Sequence, residues 1–302
     1  MADSDSSRLA EIENSGKHEA ERYGVVTGAN KGIGFEIVRQ LASNGVTVVL
    51  TTRNKVRGNE ATAKLHQLGL SNVVFHQLNV LDQASVNNAG ASGAIVDEDE
   101  LKALGIDSTA WLSGNVAKMV QSVMKYTYEE AEVCLNTNYY GVQIVTETLL
   151  PLLQLSSSGA RIVNVSSLRS ELKTKLTELR IPSLLGKNPL VPSESIRNEL
   201  GDIENLTEEK LDGILQIFLK DFKDNALEAN GWSLMLPAYS MSKKISNMCI
   251  NCVHPGYVNT DLNWHTGVIT TEEGARGPVK CALIPDVGPT GCYFDQTEVA
   301  EF

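Results

Sequence analysis

The sequence predicts an α/β protein in which helices cover both faces of a parallel sheet. Short apolar strands alternate with helix-length amphipathic segments from residue 23 onward, which is the pattern of consecutive strand–helix–strand units. A glycine-rich turn joins the first strand to the first helix, where such sheets bind ligands. The 302 residues are 42% hydrophobic, so the chain can bury a large core without disulfides or metals. We expect a disordered tail at 1–22 and a single domain at 23–302.

The first third of the chain has the clearest pattern. Phe35, Val38 and Leu41 recur at helical spacing after the glycine-rich turn, and Asn44 marks the end of that helix. A second helix ends at Gly69. Strands rich in β-branched residues are predicted at 23–27, 46–52 and 72–80.

A long helical insertion at 168–236 interrupts the remainder of the chain. Within it, Thr207 is suited to cap a helix with a single apolar face, formed by Leu211, Ile214, Leu215, Phe218 and Phe222. Later strands of the sheet are predicted at 160–167, 249–256 and 291–294.

Charge and composition argue against two classes of partner. The chain has 26 basic and 37 acidic residues, so no basic excess is available for nucleic-acid phosphates. No apolar run approaches the ~18 residues that cross a bilayer, and the polar N-terminus lacks the apolar core of a secretory signal. We therefore expect a cytoplasmic protein with reduced cysteines. The Cys249-x-x-Cys252 pair has no second half, so we expect core packing and no metal site.

The segment Thr27–Gly34 (TGANKGIG) carries the first chemical signal. Its glycines permit a tight turn that lets backbone N–H groups approach a pyrophosphate, and the following helix N-terminus favours negative charge. The spacing is G-x-x-x-G-x-G, which differs from the general dinucleotide fingerprint. Nucleotide binding is the favoured interpretation, and a plain turn is the alternative.

Arg53 stands just past the second strand, where NAD-binding proteins usually place an acid for the ribose 2′-hydroxyl. An arginine there suits a 2′-phosphate instead, and Lys31 adds a nearby positive charge. These two residues therefore indicate NADP(H). A solvated surface arginine is the alternative.

Tyr239 and Lys243 are separated by four positions, so they share one face of a predicted helix. A lysine beside a phenol favours the phenolate and lowers the tyrosine pKa. The Y-x-x-x-K pattern alone is weak, because chance matches on surface helices are common. Ser167 strengthens it, since this residue ends a predicted strand and could hydrogen-bond a carbonyl oxygen.

The combination of these motifs resembles the short-chain dehydrogenase/reductase family, in its plant carbonyl-reductase-like branch. The resemblance runs from about residue 22 to the C-terminus. Its segments are TGANKGIGFEIVRQLA, FHQLNV, NNAG, NTNYYG, IVNVSS, YSMSK, CVHPGYVNTD and ALIPDVGPTGCYF. It implies a Rossmann-like, doubly wound sheet and NADPH-dependent reduction of a hydrophobic ketone or aldehyde.

The resemblance also implies a role for each catalytic residue. Asn138 would hold a water, Ser167 would orient the substrate carbonyl and Tyr239 would donate the proton. Lys243 would bind the nicotinamide ribose and lower the pKa of Tyr239. Chemically this is general acid catalysis beside a cofactor that carries the hydride.

Residues that match the family's cofactor-binding positions are expected to contact NADPH. Asn79 stands where the family usually has an aspartate near adenine, and an amide can still hydrogen-bond there. The full set is Gly28, Asn30, Lys31, Gly32, Ile33, Gly34, Arg53, Asn79, Asn88, Tyr239, Lys243, Pro255, Gly256 and Thr260.

The insertion resembles the one that covers the dimerisation surface in monomeric carbonyl reductases, so a monomer is implied. Together with residues 91–130 it would form a lid over an apolar substrate pocket. Trp111, Trp232 and Leu236 suit such a pocket, although ordinary core packing explains each of them equally well.

Two stretches of the family pattern are missing. Only eight steps separate Asn79 from Asn87, whereas a parallel crossover needs about a dozen residues, so a helix and a central strand cannot both form there. Twelve steps separate Lys243 from Pro255, so the helix that carries Tyr239 is shortened. The sheet is therefore expected to be incomplete. A non-catalytic or poorly folded variant that binds cofactor weakly or not at all is the alternative function.

Overall fold

The computed structural model describes residues 21–79, 90–106, 114–156, 159–167, 194–202, 205–232, 234, 236–246, 251–285 and 288–300. Four features named above lie outside these ranges: Asn88, Trp111, Cys249 and nearly all of the predicted tail. The first part of the insertion, 168–193, also lies outside them.

The first sheet follows the predicted strand–helix alternation closely. Its three parallel strands lie in the order β1–β2–β3, and Val25 pairs with Val49 while Leu50 pairs with Phe75. The Asn54 side chain caps the second helix by accepting from the Arg57 backbone N–H at 3.0 Å. The elements are β1 (Tyr23–Val26), α1 (Gly32–Ser43), β2 (Thr47–Thr52), α2 (Lys55–Gln67) and β3 (Val73–Gln77).

A small hairpin and a series of helices fill the middle of the chain. Acidic and hydroxyl caps begin two of these helices, at Asp97 and Thr127. The series contains a single turn of π-helix at Asn136–Tyr140. The elements are β4 (Ile95–Val96), α3 (Glu98–Ala103), α4 (Gly114–Val123), β5 (Met124–Lys125), α5 (Tyr128–Leu135) and α6 (Gly141–Leu153).

The second sheet contains three parallel strands and one antiparallel edge strand, in the order β6–β7–β8–β9. The edge strand β9 was not predicted. The elements are β6 (Val163–Val165), α7 (Glu194–Gly201), α8 (Glu208–Lys223), α9 (Pro237–Ser246), β7 (Asn251–His254), α10 (Thr271–Ala282), β8 (Tyr293–Asp295) and β9 (Glu298–Ala300).

The insertion helix α8 confirms its prediction. The Thr207 hydroxyl accepts from the Lys210 backbone N–H at 3.4 Å, and the apolar face is buried at Leu211, Ile214 and Phe218. This face packs with α5 and the π-helical turn in one hydrophobic cluster. The helix therefore covers the catalytic half of the molecule from one side.

Within the described residues, no strand ladder joins the two sheets. Helix α10 connects them instead, because its Ala275 and Val279 are buried in the core of the first sheet, and Val165 of β6 packs against the same core. Over the ranges that the structure describes, the sheet is thus incomplete, as the shortened sequence predicted. In the described ranges, neither β1 nor β6 has a ladder partner on its second edge.

The hydrogen bonds of β1 and β6 show which of their backbone groups face those second edges. In a parallel ladder, alternate residues direct their backbone groups to opposite edges. Just before β1, the Arg22 carbonyl accepts from the Thr47 N–H at 2.8 Å, so Arg22 faces β2. Tyr23 and Val25 therefore direct their backbone N–H and C=O groups away from β2. On β6, the Ser166 N–H donates to the Val253 carbonyl at 2.7 Å, so the neighbouring Val165 faces away from β7.

Helices that are long and apolar enough to cross a membrane are absent from the described part of the chain.

Candidate active site

The glycine-rich loop lies at the carboxyl end of β1 and leads directly into α1. Gly28 and Gly32 both have left-handed backbones, with φ of 56° and 62°. A Cβ on Gly34 would lie 3.0 Å from the Gly28 carbonyl oxygen, so the turn has no room for a side chain there. The preceding Lys31 side chain does not cap α1. The loop therefore leaves backbone N–H groups at a helix N-terminus for an anion, which fits the pyrophosphate of a nicotinamide cofactor.

The end of β2 is in contact with this loop. The Thr52 hydroxyl donates to the Asn30 side-chain oxygen at 2.9 Å. The contact places Lys31 and Arg53, the residues that follow these two, at the same edge of the sheet. Arg53 is exposed, as are Lys55 and Arg57 at the start of α2. Sequence reasoning overlooked Lys55 and Arg57. The basic residues at every second position of R-N-K-V-R could have indicated a cluster of positive charge with Arg53.

The segment Pro255–Thr260 approaches the same loop from the second sheet. Pro255 is buried, and a Cβ on Gly32 would lie 3.7 Å from the Thr260 methyl group. Lys31 donates to the Asp261 carboxylate in a salt bridge. The predicted cofactor residues from both ends of the chain therefore meet at one place.

Asn138 is buried in the π-helical turn, and its amide makes four hydrogen bonds, one of them a donation to the Cys134 thiol at 3.3 Å. It accepts from the Ala91 N–H at 2.9 Å and donates to the Ala91 carbonyl at 2.9 Å. It also donates to the Ser242 hydroxyl at 3.0 Å, which in turn donates to the Tyr239 carbonyl at 2.8 Å. Asn138 therefore fixes the backbone that follows the NNAG segment to the helix that carries Tyr239. The water-holding role expected for it stays a prediction.

Tyr239 and Lys243 occupy one face of α9, as their spacing predicted. The Lys243 ammonium lies 5.8 Å from the centre of the Tyr239 ring. It donates to the Val165 carbonyl at 2.8 Å, two residues before Ser167 at the end of β6. Tyrosine, lysine and the serine-bearing strand end are thus brought together in space.

The carbonyl that Lys243 binds is one of those that face away from β7. In a complete sheet that carbonyl would accept from a backbone N–H of the neighbouring strand. Here the lysine supplies a donor to the carbonyl of the half-buried Val165. Burial lowers the pKa of Lys243 from its ordinary value to about 8, and the nearby thiols of Cys134 and Cys252 oppose that shift. Lys243 therefore satisfies the open edge of β6 as well as facing Tyr239.

The remaining predicted residues lie where the motifs put them. Ser167 is half-buried just after β6, and Asn79 is half-buried just after β3. Ile33 packs against the core of the first sheet from the start of α1. Asn88 lies outside the described residues.

Two residues near Asn138 were missed by sequence reasoning. Cys134 is buried, and its thiol donates to the Ala91 carbonyl at 3.1 Å; burial raises its pKa to about 12, so it is a neutral packing residue. Gly93 has a φ of 65°, and a Cβ there would lie 3.1 Å from the Cβ atoms of both Cys134 and Ala238. This close approach holds the loop after NNAG against α9. In the sequence, a glycine three residues after the NNAG segment was the feature that could have indicated this close approach.

The structure separates the two described lid residues. Trp232 is buried beside Phe218, and its indole N–H donates to Asp221 at 2.8 Å, so core packing explains this residue. Leu236 instead packs in a cluster with Tyr257 and Trp264, next to the residues around β4 and β5. Leu236 thus remains a candidate for the pocket wall.

The fold and site define an oxidoreductase of the class that uses a nicotinamide cofactor. A family model described as "short chain dehydrogenase" matches residues 23–177, and the chain belongs to the short-chain dehydrogenase family. It is 43% identical over 316 positions to salutaridine reductase from Papaver bracteatum, with 93% of this chain and 96% of that protein covered. It is 39% identical to (+)-neomenthol dehydrogenase from Arabidopsis thaliana, with 94% and 99% covered.

A solved structure gives the same result for the fold. The structure of salutaridine reductase from Papaver somniferum is 43% identical, covers 91% of this chain and 99% of that one, and superposes with a TM-score of 0.78. Because 93% of a 302-residue chain is fewer than 316 residues, the sequence alignment contains positions where this chain has none.

Proposed function

We propose that the protein is an NADPH-dependent carbonyl reductase that acts on a hydrophobic ketone or aldehyde. The observation that carries the proposal is the pairing of Tyr239 with Lys243 beside the end of β6, at an edge that also holds the glycine-rich loop. The names of the relatives support the reaction class, since they include reductases and a dehydrogenase of terpenoid or alkaloid compounds.

In this proposal the protein prefers NADPH to NADH, because Arg53 follows β2 at the place where NAD-binding proteins usually have an acid. The exposed guanidinium suits the additional 2′-phosphate, and the relatives include proteins named carbonyl reductase [NADPH]. When bound, the cofactor would supply the hydride. The residues Gly28–Gly34 would hold its phosphates.

The chain's own residues would handle the proton. Tyr239 would donate it to the carbonyl oxygen, while Ser167 would orient that oxygen by a hydrogen bond. The Lys243 ammonium stabilises the phenolate left behind, so it would make the phenol a stronger acid. Leu236, Tyr257 and Trp264 form the apolar surface on which a hydrophobic substrate would rest.

Substrate-dependent NADPH oxidation tests the proposal, with hydrophobic ketones and aldehydes as the panel. The Tyr239→Phe variant should lose at least about a hundredfold in rate, because the proton donor is gone. A matched control is Tyr128→Phe at the start of α5, which removes a phenolic hydroxyl away from the site and should retain the rate. Undiminished turnover by Tyr239→Phe would exclude tyrosine as the acid.

A second candidate is a non-catalytic chain that has lost its working site. The bond from Lys243 to the Val165 carbonyl favours it, since that lysine is already engaged at the open edge of β6. This candidate predicts no substrate-dependent oxidation by the unaltered chain. It also predicts no change in thermal midpoint with saturating NADPH.

We further infer a monomeric, cytoplasmic protein. Helix α8 buries Leu215 and Phe218 against α5, and so covers a face that could otherwise pair with a second copy. Sedimentation of the purified chain at micromolar concentration tests the monomer. A stable dimer would contradict it.

A further inference from the structure

Two basic side chains lie at the carboxyl edge of the first sheet, and their partners differ. Lys31 forms a salt bridge with Asp261. None of the ion pairs between described residues involves Arg53, which leaves its guanidinium to solvent. The positive charge expected to recognise a 2′-phosphate is therefore only partly available.

Asp261 is presented by an ordered turn. The Thr260 N–H donates to the Asn263 side-chain oxygen at 3.2 Å, and the Asn263 amide donates to the Val258 carbonyl at 2.8 Å. The turn closes through left-handed backbones at Trp264 and His265, with φ of 53° and 60°. Non-glycine residues adopt that conformation only where their surroundings fix it.

Neighbours hold both ends of this turn. The His265 ring lies 3.1 Å from the second Asp261 oxygen and 2.9 Å from the Asn259 side-chain oxygen. Trp264 packs in the cluster that contains Leu101 and Leu236. The carboxylate is thus directed at Lys31 by structure that does not depend on Lys31 itself.

We propose that Asp261 is a specificity-determining residue that weakens the preference for NADPH, because it holds Lys31 in an ion pair that the 2′-phosphate must displace. The inference rests on the proposed function and refines its cofactor site. NADH has no 2′-phosphate, so it gains nothing from a free Lys31. Asp261 therefore lowers the affinity for NADPH relative to that for NADH.

The expected effect is modest because the pair is exposed, at 55% for Lys31 and 53% for Asp261. Exposed ion pairs are worth at most about 1 kcal/mol, which corresponds to about a fivefold change in a dissociation constant. Higher salt screens such a pair, so the effect should shrink as ionic strength rises.

Binding of NADPH and NADH, followed by calorimetry without substrate, tests the inference. Asp261→Asn should tighten NADPH binding by up to about fivefold and leave NADH binding unchanged. In a Lys31→Gln background the same substitution should tighten NADPH less. The control is Glu298→Gln, which removes an exposed partner of Lys280 at 3.7 Å in the second sheet and should change neither constant.

Equal affinities for NADPH in the unaltered chain and in Asp261→Asn would overturn the inference while the proposed function stands. Equal weakening of both cofactors by Asp261→Asn would overturn it as well, because Asp261 would then merely support the loop. If the unaltered chain binds neither cofactor, the proposed function fails.

A measurement without cofactor distinguishes failure of this inference from failure of the proposed function. Lys31 holds the pKa of the Asp261 carboxyl below its ordinary value. Carboxyl NMR of the free protein should show that pKa rise in Lys31→Gln. An unchanged Asp261 pKa would exclude the ion pair, and with it the inference, whatever the cofactor does.

Discussion

The two halves of the molecule meet at one site but are built differently. The cofactor half, residues 21–79, is a contiguous strand–helix–strand–helix–strand unit whose central strand β2 pairs on both sides. The catalytic half gathers Asn138, β6 and α9 from distant parts of the chain. Its strand β6 pairs with β7 alone among the described residues. Among the described residues, β1 of the first half and β6 of the second therefore each have one edge without a ladder partner.

Burial shows the same contrast. Val48 and Leu50 of β2 are fully buried, whereas Val163 and Val165 of β6 are only half-buried. The charged Lys243 donates to the Val165 carbonyl, which faces the edge of β6 that no described strand pairs with. The comparison teaches that the sequence motifs lie together in a site whose described strands include an edge without a ladder partner.

The largest expected effect is on core packing in the cofactor half. Val48→Ala should lower the free energy of unfolding by about 2–3 kcal/mol, because it removes two fully buried methyl groups and leaves a cavity. The same change at Val163, which is half-buried, should cost about half as much or less. Denaturant unfolding of both variants measures the difference. Equal losses would show that β6 is packed as tightly as β2.

The next effect concerns Lys243 and pH. The pKa of Lys243 is about 8 in the folded chain, below its ordinary 10.5. The folded chain therefore loses the ammonium proton at a lower pH than the unfolded chain does. Between these values the unfolded chain binds more protons, and stability rises with pH. Compared with Lys243→Met, the unaltered chain should therefore gain on the order of 2 kcal/mol from pH 8 to 10. Below about pH 7, where both states hold the proton, the difference should stay constant.

Lys280→Met is the matched control for that measurement, because this lysine lies in the last turn of α10 and its side chain is 52% exposed. Unfolding free energies of the three chains should be compared at several pH values. A pH-independent difference between Lys243→Met and the unaltered chain would contradict the buried, edge-facing position of the ammonium.

The smallest effect is expected at Val25. This residue belongs to a strand that the fold class makes central, yet it is 43% exposed. Val25→Ala should change the free energy of unfolding by no more than about 0.5 kcal/mol, as surface substitutions usually do. A loss like that of Val48→Ala would mean that β1 is covered on both faces.

Local patterns predicted the cofactor half almost completely. Helices α1 and α2 and all three strands follow from apolar spacing and β-branched runs, and the ends of the strands differ from the prediction by a few residues. The same holds for α8 and its Thr207 cap. These features depend on residues close together in sequence, so one sequence suffices.

The contacts of the catalytic half could not be predicted from local sequence patterns. The bond of Lys243 to Val165, the clamp of Asn138 on Ala91 and the salt bridge from Lys31 to Asp261 join residues far apart in sequence. Residue spacing predicted that a helix and a central strand cannot both form between Asn79 and Asn87. It could not show which side chain would satisfy the exposed edge.

Amide hydrogen exchange along β1 tests the central claim most directly. The N–H groups of Gly24 and Val26 face β2 and should be protected, whereas those of Tyr23 and Val25 face the open edge and should exchange rapidly. Alternating protection along the strand is the result that the account predicts. Equal, strong protection of Val25 and Val26 would contradict it, because a strand would then fill the gap and the two sheets would be one.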